Sequence, residues 1–127
     1  MSKMVLDASA LLALLNAEKG ANIVLELLPQ AGISTVNLAE VVTRLSAVGM
    51  PDNEIRATLS LLGLETMVFD EEQAFLTGLF YAQTYPNGLS LGDRACLALA
   101  KVTNATAVTA YREWEGLDIG ISINLIR

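Results

Sequence analysis

The chain has 127 residues, 53% of them hydrophobic, a net charge of −6, one cysteine and no histidine. The length suits a single domain over residues 1–127 with a real core, and the missing histidine excludes Ser-His-Asp and Cys-His catalysis and any histidine zinc site. The acidic balance argues against a protein that grips duplex nucleic acid through a basic face, but not against an enzyme that meets phosphates through bound divalent cations.

Met4–Leu6 reads as a short buried strand, and Asp7 separates it from an apolar helical run over Ala8–Ala17 that ends near Gly20. Ala21–Leu28 carries a helical stripe and stops at Pro29. Gly32–Thr35 is the second strand, Asn37–Val48 a helix ending at Gly49, and Pro51 opens a further helix that runs to Leu62 and stops at Gly63. The two helices form a hairpin inserted between the second and third strands. Glu65–Phe69 is the third strand, Glu71–Thr84 a helix, Pro86-Asn87-Gly88 a turn, and Leu91–Thr103 a helix. Ala105–Thr109 is the fourth strand and Ile119–Ile123 the fifth. Short strands alternating with longer helices predict an α/β sandwich on a mainly parallel sheet. No apolar run is long enough to span a membrane. The N-terminus, with Lys3 and Asp7, makes a poor signal peptide, and Cys96 as the lone cysteine excludes an internal disulfide and fits a reducing cytoplasm.

Three acids stand at junctions between these elements: Asp7 after the first strand, Glu40 early in the helix after the second, and Asp93 in the first turn of the helix before the fourth. Each has a plain structural reading. Asn37-x-x-Glu40, Asp70-x-x-Gln73 and Ser90-x-x-Asp93 all have the form of a helix capping box, and Asp7 suits a helix N-cap. The functional reading comes from their place in the fold. With the first strand near the centre of a parallel sheet, all three reach the edge where α/β proteins bind ligands. Three converging carboxylates repel one another unless a cation neutralises them, and an all-oxygen set suits Mg²⁺ or Mn²⁺. A phosphatase with an Asp-x-Asp nucleophile would need an acid where Ser9 stands, and a receiver domain would want paired acids after the first strand.

At these residues the chain resembles a PIN-domain ribonuclease, and in particular the VapC-type toxin of a toxin–antitoxin pair. The matching pieces are Val5-Leu6-Asp7-Ala8-Ser9-Ala10-Leu11-Leu12-Ala13, Asn37-Leu38-Ala39-Glu40-Val41, and Ser90-Leu91-Gly92-Asp93-Arg94-Ala95-Cys96-Leu97-Ala98-Leu99-Ala100, followed by Val108-Thr109-Ala110. They fall in the family's order and spacing over essentially the whole chain. The resemblance implies a three-layer α/β/α sandwich of about five strands, with Asp7, Glu40 and Asp93 as ligands of Mg²⁺ or Mn²⁺ in an acidic pocket that hydrolyses RNA. It makes Ser9 the small hydroxyl beside the metal, against a plain reading as a first-turn helix residue. It also implies a homodimer and an antitoxin whose C-terminal arm crosses the acidic groove. The hydrophobic content, above the roughly 45–50% of ordinary soluble domains, fits such partners, with the antitoxin groove on the helices from Ala21 to Leu62.

The chain departs from the family pattern at one place. Where Thr-Ala-Asp-Arg is common, it reads Thr109-Ala110-Tyr111-Arg112-Glu113-Trp114. A phenol titrates near ~10 and is no hard-cation ligand at neutral pH. Either Glu113 supplies the missing charge, or the site works with three acids, or Tyr111 silences it and leaves an RNA- or antitoxin-binding module. Arg94 and Arg112 flank the expected pocket and are either phosphate contacts or solvated helix residues. Cys96 reads as a small core residue and Trp114 as a packing anchor.

Overall fold

Val5 and Leu6 are wholly buried, on opposite faces of the central strand of one sheet. The computed structural model describes residues 2–127. Strand β1 (Met4–Leu6) lies between β2 (Ala31–Ser34) and β4 (Thr106–Thr109), with β3 (Glu65–Met67) outside β2 and β5 (Ile123–Leu125) outside β4. Every pairing is parallel, and Leu6 stands in register with both Ile33 and Val108. Side chains alternate along each strand, so Val5 and Ala107 enter one core while Leu6, Ile33 and Val108 enter the other. A strand covered on both faces has to be apolar at every position, which is why Met4-Val5-Leu6 carries no charge until Asp7.

The helices are α1 (Ala8–Leu15), α2 (Ala21–Leu27), α3 (Thr35–Ala47), α4 (Asp52–Ser60), α5 (Glu71–Leu79), α6 (Tyr81–Thr84) and α7 (Leu91–Thr103). The first four pack over the core of Leu6, Leu11, Ile33 and Val41. On the other face, α7 lays Cys96, Leu97 and Leu99 over Val5 and Ala107, and Trp114 is sealed into the same layer. This is the three-layer α/β/α sandwich expected. Because β1 passes to β2 on one side and pairs with β4 on the other, the winding reverses between β1 and β4. That reversal opens a crevice at the carboxyl ends of these two strands, and Asp7 is the first residue past the end of β1. Among the described residues, no helix is long and apolar enough to cross a membrane.

Several boundaries differ from the sequence reading. The fifth strand is Ile123–Leu125 and shares only Ile123 with the expected Ile119–Ile123. Ile119 is buried as a loop residue and Gly120 takes a left-handed φ of +72°, so the chain turns there before joining β4. The third strand ends at Met67, because the Phe69 N–H donates to Thr35 Oγ1 at 3.1 Å rather than to a ladder partner. The helix expected over Glu71–Thr84 divides at Phe80 into α5 and α6. Helix α3 starts at Thr35, capped by Ser34, whose hydroxyl accepts from the Val36 N–H at 3.2 Å. Asn37 therefore lies inside the helix, and the capping box assigned to Asn37 and Glu40 does not form. Pro51 is the N-cap of α4 rather than its first helical residue.

Candidate active site

Asp7 is 1% exposed, and its side chain accepts three hydrogen bonds. Oδ1 accepts from the Ala10 N–H at 2.8 Å, which caps α1, and from Ser9 Oγ at 2.7 Å. Oδ2 accepts from Thr109 Oγ1 at 2.6 Å. Ser9 Oγ in turn accepts from the Ala110 N–H at 2.9 Å, so the end of β4 is tied to the start of α1. Burial outweighs these bonds and, with a smaller push from the charge of Asp93, raises the Asp7 carboxyl from 3.8 to about 6. The plain reading of Asp7 as an N-cap is thus correct, and it describes only one of the oxygens.

Glu40 projects from the second turn of α3. Asn37, one turn earlier, donates through Nδ2 to Glu40 Oε1 at 2.8 Å and to the Gly92 carbonyl at 3.0 Å, joining α3 to α7. Gly92 has to be glycine for this: a Cβ there would fall inside the Glu40 carboxylate. The sequence reading missed both Asn37 and Gly92 as residues that place Glu40. The available signal was a glycine in the first turn of a helix, which costs about 1 kcal/mol against alanine and usually marks a close approach.

Asp93 forms the expected capping box: the Ser90 N–H donates to Asp93 Oδ2 at 2.9 Å, and the Asp93 N–H donates to Ser90 Oγ at 3.2 Å. Burial raises its carboxyl despite these bonds, and the charge of Glu113 adds to the rise. Glu113 lies in the 3₁₀ turn Arg112–Trp114, and its carbonyl accepts from Asn87 Nδ2 at 2.9 Å.

These pieces surround a cavity of about 410 Å³, lined by Asp7, Ala8, Ser9, Glu40, Asn87, Gly88, Ser90, Asp93, Tyr111 and Glu113. Four carboxylates share one wall system, and no Lys or Arg is among the lining residues. Tyr111, 43% exposed, forms part of the wall where the family pattern carries an acid. Burial raises its phenol above the ordinary value, and the charges of Asp7, Asp93 and Glu40 raise it further.

The two arginines are placed elsewhere. Arg94 donates through Nη1 to the Thr77 carbonyl at 2.8 Å, and its guanidinium lies 5.4 Å from the Tyr81 ring centre. Arg112 reaches Glu115 Oε2 at 3.5 Å on the exposed surface. Neither lines the cavity. Cys96 and Trp114 are both 1% exposed core residues, as read from the sequence.

By donor type and by charge the cavity fits a hard divalent cation, since every ligand candidate is an oxygen and no basic side chain lines it. By position the set is not closed around one point: among the described residues, no three acidic, histidine or cysteine side chains are grouped so as to hold an ion. Their oxygens are instead held by Ser9, Ala10, Thr109, Asn37 and Ser90.

The architecture is similar to several solved structures. A toxin–antitoxin complex from Klebsiella pneumoniae matches over 98% of both chains with a TM-score of 0.78 at 19% identity. DNA-bound VapBC from Salmonella typhimurium matches over 100% of both chains with a TM-score of 0.77 at 22% identity. VapBC2 from Rickettsia felis, bound to a fragment of promoter DNA, matches over 96% of this chain and 97% of its own with a TM-score of 0.74 at 21% identity. The comparison with curated proteins finds no match. The PIN domain family model matches residues 4–118, which take in β1 to β4 and all four cavity acids, and the chain belongs to the PIN domain family.

Proposed function

We propose that the chain is a divalent-cation-dependent endoribonuclease of the VapC type, acting as one domain over residues 1–127 in a reducing cytoplasm. One observation carries the proposal: Asp7, Glu40, Asp93 and Glu113 line a single cavity at the switch point of a parallel sheet, with no basic residue among them. Mg²⁺ or Mn²⁺ held there would supply an activated water and charge stabilisation for phosphodiester hydrolysis. The protein's own part is placement. Ser9 and Thr109 hold Asp7 at the cavity floor, Asn37 holds Glu40, and Ser90 holds Asp93. Asp7, Glu40 and Asp93 would be the ligands, and Glu113 would supply the charge that Tyr111 lacks. Arg94 and Arg112 do not line the cavity and are assigned no phosphate contact.

The partner is an antitoxin. The structural neighbours from Klebsiella, Salmonella and Rickettsia are toxin–antitoxin or VapBC complexes. A second cavity of about 560 Å³ lies between α3, α4 and the β2–β3 edge, lined by Ile33, Leu38, Val42, Ile55, Leu59 and Leu64 among others. It offers an antitoxin segment an apolar seat. A homodimer is part of the same proposal. Cleavage of single-stranded RNA in Mn²⁺, compared between wild type and Asp7→Ala, tests the assignment, and equal rates would overturn it.

Tyr111 favours a second reading, in which the chain binds RNA or antitoxin without turnover. A large gain of Mn²⁺-dependent cleavage in Tyr111→Asp would support it.

A further inference from the structure

We propose that the Tyr111 ring is the stacking platform for a nucleobase of the single-stranded RNA whose phosphate enters the acidic cavity. The inference rests on reading the cavity as an RNA site and holds whether or not turnover follows.

Tyr111 is the sole aromatic among the described residues that line the cavity. Its backbone is fixed on both sides: its N–H donates to Thr109 Oγ1 at 3.0 Å, and its carbonyl accepts from the Trp114 N–H at 3.2 Å. Trp114 is buried and anchors the turn. The ring is therefore presented from a held position, which lowers the ordering cost of using it. Its hydroxyl makes no hydrogen bond among the described residues, while 43% of the residue stays exposed beside four carboxylates. A packing role would have buried the ring, as it has buried Trp114.

The charge of the site leads to the same place. No Lys or Arg lines the wall; Arg44 and Arg94 act on Tyr111 and Asp93 from outside it, and a bound cation would serve only the phosphate that touches it. Within the cavity wall, hold on the base falls to an uncharged surface, and an aromatic face suits any base. The recognition is accordingly tolerant of sequence at this nucleotide.

The test is the affinity of a short fluorescein-labelled oligoadenylate, read by anisotropy with Ca²⁺ as the cation. Tyr111→Phe should bind like wild type, since only the ring face is used. Tyr111→Ala should bind about 5- to 150-fold more weakly, the range carried by one stacked base. An oligonucleotide with a single abasic position, moved along the strand, should lose the same factor against wild type at one position and nothing further against Tyr111→Ala. Wild-type binding with no loss, or a gain, in Tyr111→Ala would overturn the stacking role and leave the RNA site standing. No binding by wild type would instead remove the RNA reading itself.

Discussion

Thr109 Oγ1 donates to Asp7 Oδ2 at 2.6 Å, a buried side-chain hydrogen bond between the carboxyl ends of the adjacent parallel strands β4 and β1. Thr109 is 0% exposed, and its Oγ1 also accepts from the Tyr111 N–H. The contact therefore sets both the floor acid and the wall aromatic. Replacing Thr109 by valine keeps the shape and removes the hydroxyl. An unmet buried acceptor costs about 1–3 kcal/mol, so Thr109→Val should lose that much stability in urea unfolding near neutral pH. The loss should shrink in acid, where Asp7 is protonated. A pH-independent loss would mean that the hydroxyl does not serve the Asp7 charge.

Asp7 itself is a source of instability. Its carboxyl rises from 3.8 in the open chain to about 6 in the fold, so the native state holds this proton more tightly. The contribution to stability is therefore complete below 3.8 and is lost as the pH rises through about 6. A shift of about two units corresponds to about 3 kcal/mol. Asp7→Asn removes the charge and still accepts from Ser9 and Ala10, while the Thr109 hydroxyl turns to accept from the new amide. In EDTA, this variant should match wild type near about pH 4 and exceed it by up to about 3 kcal/mol near about pH 7. Parallel pH profiles would show that Asp7 burial is not the cause.

The parallel α/β layering and the acids Asp7, Glu40 and Asp93 are legible in the sequence because each rests on a local pattern, whereas Glu113 is only one of three alternatives there. Apolar runs that end in a charge gave β1 and Asp7, and a serine three residues before an acid gave the α7 cap. What was illegible depends on contacts between distant segments. Asn37 looks like a cap on its own helix, but its amide spans to Gly92, 55 residues away. The apolar pattern of Ile119 and Ile121 looks like a strand, but Ile119 fills the core from a loop and Gly120 bends the chain, so the fifth strand starts only at Ile123. Arg94 stands next to Asp93 in sequence, but successive side chains on a helix point some 100° apart, and its guanidinium goes to Thr77 and Tyr81.

On the proposed function, a cation held by Asp7, Glu40 and Asp93 would compete with the proton that burial favours on Asp7, so binding and pH would be linked. Excess Mn²⁺ should raise the melting temperature by the increment that mass action gives, about 2.7 kcal/mol at a hundredfold excess over Kd. The increment should grow from about pH 5 to about pH 7 as that proton is lost. Asp7→Asn should abolish most of it, and Glu113→Gln should reduce it if Glu113 stands in for the acid that Tyr111 replaces. An unchanged increment in Glu113→Gln would leave the site with three acids.

Gly92 offers the sharpest test of how Glu40 is placed. A methyl at position 92 would occupy the space of the Glu40 carboxylate and drive it off Asn37 Nδ2, which donates to it at 2.8 Å. Alanine improves the α7 helix by about 1 kcal/mol, whereas disturbing the buried Asn37 amide costs about 1–3 kcal/mol. Gly92→Ala should therefore be neutral to destabilising in the wild-type chain, and its Mn²⁺ affinity should fall with Glu40 displaced. In a Glu40→Ala background there is nothing left to displace, so the same substitution should become stabilising by about 1 kcal/mol. A cycle of these variants, followed by urea unfolding and Mn²⁺ titration, measures the coupling directly. If Gly92→Ala costs the same with and without the Glu40 side chain, the glycine serves the packing of α3 on α7 and not the position of the acid.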